Sequence, residues 1–510
     1  MLTQKGFFMR YHSTRSLQDS VSGREAVFRG LAPDGGLYVT DRLNSTRIDP
    51  AVYETGAGSY AATARAVLRA LLDDFTEDEI RVSVENAYGS TFSSALVTPV
   101  TALGNMHLLE LYHGPTAAFK DVALCLLPQL MSRALAGTGR RLMIATATSG
   151  DTGKAALEGF RDVPDIGITV LYPENGVSAV QERQMTTQRG KNVTVLAVRG
   201  NFDDAQRTVK NLFTDPITKT LAASGISLTS ANSINIGRLV PQMVYYFEAY
   251  RQLRAEGKIE PGERLDFTVP TGNFGDVLAG WCAKQLGLPV GRLIVASNAN
   301  NVLTDFLTTG VYDRRRPLVK TLSPSMDILV SSNLERTLYW MESQVTGDAE
   351  AAAAHTRERM TALAEKGFYQ VTGPLLTQLQ TEFGCAFADD SETKASIRAA
   401  WENEHRLIDP HTAVARAAAL KNRTPGRPMC VLSTASPYKF VNAVYEALYG
   451  DVPASASPFD TMDELARRTG VTPPASLTAL RTLPVLWQET LDVKDVPERI
   501  LKAAQTQLVD

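Results

Sequence analysis

The sequence predicts an α/β protein in which parallel sheets are covered by helices, preceded by a helical amino-terminal domain. Short apolar runs, such as residues 142–146 and 265–269, are each followed by a stretch of helical spacing. Strands that are apolar on both faces and alternate with helices are typical of parallel sheets. The length of 510 residues exceeds the size at which one hydrophobic core stops growing, so we expect two or more domains.

The first part of the chain is predicted to be a mainly helical domain of residues 1–98. Apolar residues recur at helical spacing between positions 60 and 72, and Thr76 followed by Glu79 is typical of a capped helix start. The next helix is predicted to begin near Lys120. It contains Pro128, which predicts a kink because proline cannot donate the helical hydrogen bond.

The rest of the chain is predicted to form two α/β domains and a tail. We expect a smaller domain at residues 99–225 and a larger one at 226–450, with an inserted, more helical region at about 310–424. The tail, residues 451–510, contains several prolines and is predicted to form short helices. The apolar runs that we interpret as strands are residues 142–146, 168–172, 193–198, 226–228, 265–269, 293–296 and 429–432.

The composition excludes several classes of protein. A formal net charge of -3, with no long basic block, argues against a nucleic-acid surface. The four cysteines are widely spaced and the six histidines are scattered, so no metal site is predicted. The sequence has no apolar run of about 18 residues and no signal peptide, which predicts a cytoplasmic protein that does not bind membranes.

Lys120 is the first candidate for chemistry. It follows the turn-forming pair Gly114-Pro115 and a nearly apolar run, residues 117–119, and it opens a helical segment. An apolar setting disfavours the ammonium form and lowers the pKa of a lysine, which suits a nucleophile or a base. The alternative, a surface lysine at a helix start, is the commoner fate of a single lysine.

Two glycine-containing loops are candidates for anion binding. Residues 146–156, TATSGDTGKAA, and residues 269–280, VPTGNFGDVLAG, each join a predicted strand to a predicted helix. Such a junction offers main-chain N–H groups and the positive end of a helix dipole to an anion. Either loop alone could equally be a plain connection between strand and helix.

The segment HGPTAAFKDVAL, residues 113–124, resembles the lysine motif of the threonine synthase family, which uses pyridoxal 5'-phosphate (PLP). Further phrases that resemble the family are YHSTRS, GLAPDGGLYV, NSINIGRLVPQ, LSPSMDILVSSNLER and DPHTAVA. The resemblance implies a fold-type II PLP enzyme, similar to the tryptophan synthase β subunit, in which Lys120 carries PLP as a Schiff base.

The resemblance also implies roles for the two loops and for one strand end. VPTGNFGD resembles the family loop that binds the PLP phosphate, and LSTASPYKF resembles a phrase whose threonine, here Thr434, bonds the pyridine nitrogen. That phrase usually has histidine and alanine where this chain has Ser436 and Tyr438. TSGDTG resembles the loop that faces the substrate. The implied cofactor contacts are Lys120, Gly272, Asn273, Phe274, Gly275, Asp276 and Thr434, and the implied substrate contacts are Ser149, Asp151, Thr152, Lys154 and Arg238.

The reaction implied by this resemblance is the conversion of O-phospho-L-homoserine and water to L-threonine and phosphate. Lys120 would be the catalytic base as well as the cofactor lysine. Two alternatives remain at this stage: another fold-type II PLP phospho-lyase, which acts on a phosphorylated amino acid, eliminates phosphate and releases a keto acid, and a non-catalytic relative. The sequence leaves open whether the protein is a monomer or a homodimer.

Overall fold

The computed structural model describes residues 8–200, 202–213, 215–452 and 457–509. The amino-terminal part combines a small sheet with helices. Ser22 and Ser59 accept main-chain N–H groups at two helix starts, and Thr76 forms the predicted capping box with Glu79. Its elements are β1 (Arg10–Ser13), β2 (Ser16–Ser22), α1 (Gly23–Arg29), β3 (Tyr38–Val39), α2 (Tyr60–Leu71) and α3 (Glu77–Tyr88).

The segment around Lys120 contains two short helices. The predicted kink at Pro128 is a complete break: the first helix ends at Leu124, and Pro128 occupies the first turn of the next helix, where its missing N–H is not needed. The elements of this segment are β4 (Val100–Leu103), β5 (Met106–Glu110), α4 (Lys120–Leu124) and α5 (Leu127–Leu135).

Strands and helices alternate through the middle of the chain, as the apolar runs predict. The first group of elements is β6 (Arg141–Ala147), α6 (Asp151–Gly159), β7 (Ile166–Pro173), α7 (Ala179–Thr186), β8 (Val193–Val198), α8 (Phe202–Leu212), α9 (Ile217–Ala223) and β9 (Ile226–Thr229). The second group is α10 (Ile236–Ala255), β10 (Leu265–Pro270), α11 (Gly275–Gln285), β11 (Val290–Ser297) and α12 (Val302–Thr309).

The region after α12 is richer in helices, and the tail adds further helices and one short strand. The first group is β12 (Val311–Asp313), α13 (Leu334–Thr346), α14 (Ala349–Glu365), β13 (Phe368–Gln370), α15 (Gly373–Glu382), β14 (Phe383–Phe387), α16 (Asp390–Glu404) and α17 (Pro410–Asn422). The last group is β15 (Met429–Ser433), α18 (Val441–Tyr449), α19 (Pro458–Thr469), α20 (Ala475–Thr478), β16 (Thr490–Leu491) and α21 (Val496–Leu508).

Two large sheets organise the molecule. One has six strands in the order β14-β11-β10-β15-β5-β4, parallel except for β4, and the other has five parallel strands in the order β16-β8-β7-β6-β9. Strands β1 to β3 form an antiparallel sheet in the amino-terminal part, which is therefore not purely helical. Strands β6, β7 and β8 are almost wholly buried, as expected for a sheet covered on both faces.

The sheets cross the predicted domain boundaries. Strands β4 and β5 lie after residue 99 yet join the six-stranded sheet, and β9 lies after residue 225 yet joins the five-stranded sheet. The tail also contributes β16, which pairs with β8. The structure therefore differs from the predicted division at these strands, because the sequence pattern of a strand does not state which sheet it pairs with.

Helix α10 lies at the centre of the molecule and is buried along most of its length. A helix that is apolar or internally bonded on all sides belongs to the core. Asn235 caps it by accepting the N–H of Gly237 at 2.8 Å, which places Arg238 in the first turn. Among the described residues, no helix is long and apolar enough to cross a bilayer.

Candidate active site

A cavity of about 1040 Å³ lies where the carboxyl ends of strands from both large sheets meet. Residues that follow β6, β9, β10 and β15 line it, including Thr148, Ser230, Thr271 and Thr434. In α/β proteins, ligands bind outside the carboxyl ends of parallel strands. The volume is sufficient for a cofactor together with a small substrate.

The segment that carries Lys120 is fixed against the segment that follows β15. The N–H of Phe119 donates to the main-chain oxygen of Thr434 at 2.8 Å, and the N–H of Ser436 donates to the oxygen of Ala117 at 3.1 Å. Ala117 has φ 58°, in the left-handed region, which turns the chain toward Lys120. Two phrases that are more than 300 residues apart in sequence therefore place Lys120 and Thr434 on the wall of one cavity.

The Lys120 side chain is 12% exposed, and Lys120 lines the cavity. Burial lowers the pKa of Lys120 to about 8 against the opposing effect of Asp151, whose Oδ2 lies 3.9 Å from Nζ. The Phe119 ring also faces the amine, with 5.5 Å between Nζ and the ring centre. An amine with this pKa is partly neutral at physiological pH and can act as nucleophile or base.

The loop from Gly272 to Asp276 lines the cavity and opens helix α11. The helix starts without a side-chain cap, so its first N–H groups and its positive dipole end are available to an anion. The only left-handed residue of the loop is Phe274, with φ 61°. Phe274 tolerates the strain because its ring is 1% exposed and packs against Phe383.

Asp276 lines the cavity and accepts hydrogen bonds from two buried tyrosines. The hydroxyl group of Tyr245 donates to its Oδ1, and the hydroxyl group of Tyr246 donates both to Oδ1 and to its main-chain oxygen. Burial raises the pKa of Asp276 to about 7, because the tyrosine bonds offset only part of the cost of burying the charge. A carboxyl group that is partly neutral does not strongly repel an anion at the start of α11.

The loop after β6 brings Ser149 and Thr152 to the cavity. Thr148 shapes the loop, because its hydroxyl oxygen accepts the N–H groups of Gly150 at 2.9 Å and Gly153 at 2.8 Å. Asp151 lies behind Lys120, where Oδ1 accepts from Lys439 and Gln181. These partners indicate that Asp151 is bonded to the chain itself, which differs from the predicted contact with the substrate.

Arg238 is a buried cation on the cavity wall, and no carboxylate of the described residues pairs with it. One guanidinium nitrogen donates to the main-chain oxygen of Ala231 at 2.8 Å, and Nε has no hydrogen-bond partner among the described residues. Burial lowers the pKa of Arg238 to about 10. An unpaired buried cation with a free donor indicates an anion site, since burying such a charge without a partner costs several kcal/mol or more.

Lys154 is a correction to the predicted substrate contacts. Its Nζ lies 3.0 Å from Glu158 Oε2 and also donates to Gln188, and its side chain does not line the cavity. Residue 154 is the fourth residue of α6, so its side chain projects from the flank of the helix and not from the loop.

Two residues at the site, Lys439 and His411, lie in the phrases that resemble the family but had no predicted role. Lys439 bonds Asp151 behind Lys120. His411 lines the cavity, where its Nε2 accepts the N–H of Ser325 and its Nδ1 lies 2.6 Å from Asp409 Oδ2. A sequence signal for Lys439 is its place between two aromatic residues, Tyr438 and Phe440, shortly after a strand of the core.

Family models match almost the whole chain. The model "Threonine synthase N terminus" matches residues 10–88, "Pyridoxal-phosphate dependent enzyme" matches 97–435, and "Threonine synthase, C-terminal" matches 412–483. The threonine synthase of Pseudomonas aeruginosa is 39% identical over 467 residues, which cover 91% of this chain and 96% of that protein. The chain belongs to the threonine synthase family.

Other relatives and solved structures agree. Threonine synthase of Saccharomyces cerevisiae is 36% identical over 86% of this chain and 89% of that protein. Human threonine synthase-like 1 is 38% identical over 83% of the chain, a match that spans 58% of that longer protein. The PLP-bound threonine synthase from Brucella melitensis aligns with a TM-score of 0.84 at 36% identity, over 98% of this chain and 100% of that one. The yeast enzyme aligns at 0.85 and 34% identity, over 97% and 99%.

These matches confirm the predicted family, the fold-type II class and PLP as the cofactor. They do not test the individual site residues, whose roles remain predictions.

Proposed function

We propose that this protein is a threonine synthase that converts O-phospho-L-homoserine and water to L-threonine and phosphate. The observation that supports this most is the arrangement around one cavity of the buried Lys120 amine, the uncapped start of α11 and the unpaired cation Arg238. A cofactor phosphate and a substrate phosphate need two separate anion sites, and the cavity wall offers two.

The residues present fit PLP. Lys120 would hold it covalently, and Gly272, Asn273, Phe274 and Gly275 would hold its phosphate through the start of α11. A Cβ atom on Gly272 would lie 2.8 Å from the main-chain oxygen of Ser325, so only glycine leaves this part of the loop in place. When bound, PLP supplies the electron sink for the negative charge that develops on the substrate.

Thr434 would face the ring nitrogen of the cofactor. Its main-chain oxygen is bonded to the N–H of Phe119, so its position is fixed relative to Lys120. A hydroxyl group donates a hydrogen bond to an unprotonated nitrogen without adding a charge, which distinguishes this site from those that use a carboxylate.

The chain's own proton carrier is Lys120. With PLP and substrate bound, its Nζ would take the proton from the substrate Cα and return protons to the neighbouring carbons. A pKa of about 8 suits both the removal and the return of a proton near neutrality. The cavity wall carries Ser149, Thr152 and Arg238, which we assign to the phosphate and carboxylate of the substrate.

The proposal is tested by incubating the PLP-loaded protein with O-phospho-L-homoserine and measuring threonine, phosphate and 2-oxobutyrate separately. Threonine and phosphate in equal amounts are expected. Phosphate with 2-oxobutyrate would instead identify a phospho-lyase, an alternative kept open by the likeness to threonine synthase-like 1. No phosphate release would favour a non-catalytic relative.

A matched pair of variants ties the activity to the site. Lys120→Ala should abolish turnover, and borohydride reduction of the wild-type protein should leave the pyridoxyl group on Lys120. Lys191→Ala removes an exposed lysine outside the cavity and should change neither result. A pyridoxyl label on a lysine other than Lys120 would contradict the assignment.

A further inference from the structure

Lys439 is a fully buried lysine that does not line the cavity, yet it lies directly behind the site. It belongs to the short turn that follows β15, and its Nζ lies 2.6 Å from Asp151 Oδ1. The same amine donates to the main-chain oxygen of Thr116 at 3.0 Å. A buried ammonium group with two such partners is held in one position.

The Asp151 carboxylate divides its two oxygens between two lysines. Oδ1 accepts from Lys439 and, at 2.9 Å, from Gln181. Oδ2 accepts from Ser325 at 3.3 Å and lies 3.9 Å from Lys120 Nζ. The lysine pair and Gln181 hold the pKa of Asp151 well below its usual range, so the group is an anion throughout the working range.

We propose that Lys439 is a positioning residue, which holds Oδ1 of the Asp151 carboxylate and thereby limits how strongly Oδ2 retains the protonated Lys120 amine whenever that amine is not bound to the cofactor. Asp151 Oδ2 then receives the ammonium group that forms when Lys120 takes up a proton, and it orients Nζ toward the cavity. The inference rests on the proposed function only for the identity of the reaction, since the contacts are those of the chain itself.

The charges around Lys120 determine the direction of the expected effect. The groups that face it are Asp151 on α6, Lys439 after β15, Arg238 on α10 and Asp121 on its own helix. When Lys439 is removed, Asp151 loses its nearest cation and attracts the Lys120 ammonium group more strongly. Lys120 therefore keeps its proton to higher pH. Without the Asp151 carboxylate, the Lys120 ammonium has lost its nearest anion and gives up its proton at lower pH.

The two single variants are therefore expected to shift the proton affinity of Lys120 in opposite directions. Lys439→Met should raise the pKa of the Lys120 amine by about one unit, and Asp151→Asn should lower it, where one unit is about a tenfold change in the neutral fraction near pH 7. A residue with only a structural role would not produce opposite shifts. Each single variant also buries an unpaired charge, which the double variant Asp151→Asn with Lys439→Met removes.

The measurement is the rate at which acetic anhydride labels Lys120 in the full-length, cofactor-free chain across the neutral and alkaline range, with peptides quantified by mass spectrometry. This readout is independent of turnover, so it stands even if the protein does not make threonine. The double variant is measured alongside, because it keeps the test valid where a single variant fails to fold. In it, the pKa of Lys120 should lie above that of Asp151→Asn and below that of Lys439→Met, whichever of the two folds.

Lys421→Met is the matched control. Lys421 also bonds one carboxylate, Glu392 at 2.7 Å, and one main-chain oxygen, that of Phe387 at 2.8 Å, but at the surface. It should leave the labelling profile of Lys120 unchanged. The proposal is overturned if Lys439→Met and Asp151→Asn shift the profile in the same direction, or if the variants that fold label Lys120 as the wild type does.

Discussion

The hydroxyl group of Tyr246 donates to the main-chain oxygen of Asp276 at 2.9 Å and lies 3.1 Å from its Oδ1. Both residues are buried, and Asp276 Oδ2 has no hydrogen-bond partner in the part of the chain that the structure describes. The tyrosine therefore holds the second residue of α11 at the start of the helix that we assign to the cofactor phosphate. Because the tyrosine contact is a neutral hydroxyl group and not a cation, the pKa of the Asp276 carboxyl group stays raised.

The first prediction concerns stability as a function of pH. Burial raises the pKa of Asp276 to about 7 in the folded chain, whereas the unfolded value is about 4. Below both values the carboxyl group is neutral in both states and carries no penalty. As pH rises from about 4 to 7 the unfolded chain loses this proton first, so the folded state loses stability through this window.

Asp276→Asn should remove that loss in the cofactor-free protein. The variant should match the wild type near pH 4 and become more stable than it above about pH 7, by up to a few kcal/mol. Tyr246→Phe removes a hydrogen bond that favours the charged form of Asp276. The pKa of Asp276 should rise further, so the loss of stability should continue to higher pH. Urea unfolding at several pH values measures both. Equal stability of Asp276→Asn and wild type at all pH values would show that the carboxyl group is not buried as described.

The second prediction compares two glycines of one loop. A Cβ atom on Gly272 would meet a main-chain oxygen, that of Ser325, at 2.8 Å, whereas on Gly275 it would meet only the side-chain amide of Asn333 at 3.2 Å. Overpacking against backbone costs about 1–3 kcal/mol. Gly272→Ala should therefore weaken PLP binding about tenfold or more, and Gly275→Ala should weaken it less.

Spectrophotometric titration of PLP gives the two affinities, and thermal unfolding without PLP gives the cost to the fold. If Gly275→Ala weakens binding as much as Gly272→Ala, direct contact with the phosphate outweighs the steric effect. If both variants destabilise the fold, but their folded molecules bind PLP as tightly as the wild type, the loop is only a connection between β10 and α11.

The two glycines also show what the sequence could and could not predict. Apolar runs and helix caps predict the alternation of strands and helices, because those signals are local. The left-handed residue of the loop is Phe274, not a glycine, because the ring's burial against Phe383 offsets the backbone strain. That compensation depends on a residue that is distant in sequence and leaves no local signal.

The same limit explains the charged residues of the site. Lys120 is predicted from its apolar neighbours and its motif, both of which are local. The pairing of Lys439 with Asp151 joins the end of one sheet to a helix of the other, so neither stretch alone indicates it. Lys154 is the opposite case. Its place in the phrase of the substrate-facing loop predicts a substrate contact, but the residue lies within α6 and its side chain bonds Glu158.

The third prediction concerns the substrate phosphate. Arg238 lines the cavity, and its buried guanidinium group has no carboxylate partner among the described residues, so an anion bound in the cavity would supply the missing negative charge. Hydrogen bonds between charged groups contribute about 1.5–3 kcal/mol. Arg238→Gln should raise KM for O-phospho-L-homoserine by about tenfold to a hundredfold, with a smaller effect on PLP affinity.

Steady-state kinetics and PLP titration of the same preparation separate the two effects. Arg133→Gln is a suitable control, because Arg133 lies on α5 and does not line the cavity. A large loss of PLP affinity in Arg238→Gln, without a change in KM, would assign the guanidinium group to the cofactor.

The fourth prediction concerns the pH dependence of cofactor attachment. Burial lowers the pKa of Lys120 to about 8, so its neutral, nucleophilic form predominates above that pH. The rate at which the cofactor-free chain takes up PLP should rise with pH and level off near 8, whereas an ordinary lysine would continue to gain reactivity to about 10. Stopped-flow absorbance gives this profile. A rate that still rises at the higher pH would mean that Lys120 is not desolvated.

The last prediction concerns Thr434, which lines the cavity while its main-chain oxygen accepts the N–H of Phe119. Valine has nearly the same shape, so Thr434→Val removes the hydroxyl group without disturbing that bond. The lost hydrogen bond to the cofactor ring should lower turnover by roughly one to two orders of magnitude, while the bond between Lys120 and PLP still forms.

The neighbouring hydroxyl groups provide the control. Ser433 Oγ lies 3.0 Å from Thr412 Oγ1, and Ser436 Oγ accepts the N–H of Tyr438. Neither serine lines the cavity, so neither is placed to replace Thr434. Ser436→Ala should therefore affect turnover less than Thr434→Val. Thr434→Asp should change the cofactor's absorption spectrum, because a carboxylate would hold the ring nitrogen protonated, and it should increase the share of 2-oxobutyrate among the products. Unaltered turnover and PLP affinity in Thr434→Val would show that the hydroxyl group does not contact the ring, and that the nitrogen is bonded by another group on the wall.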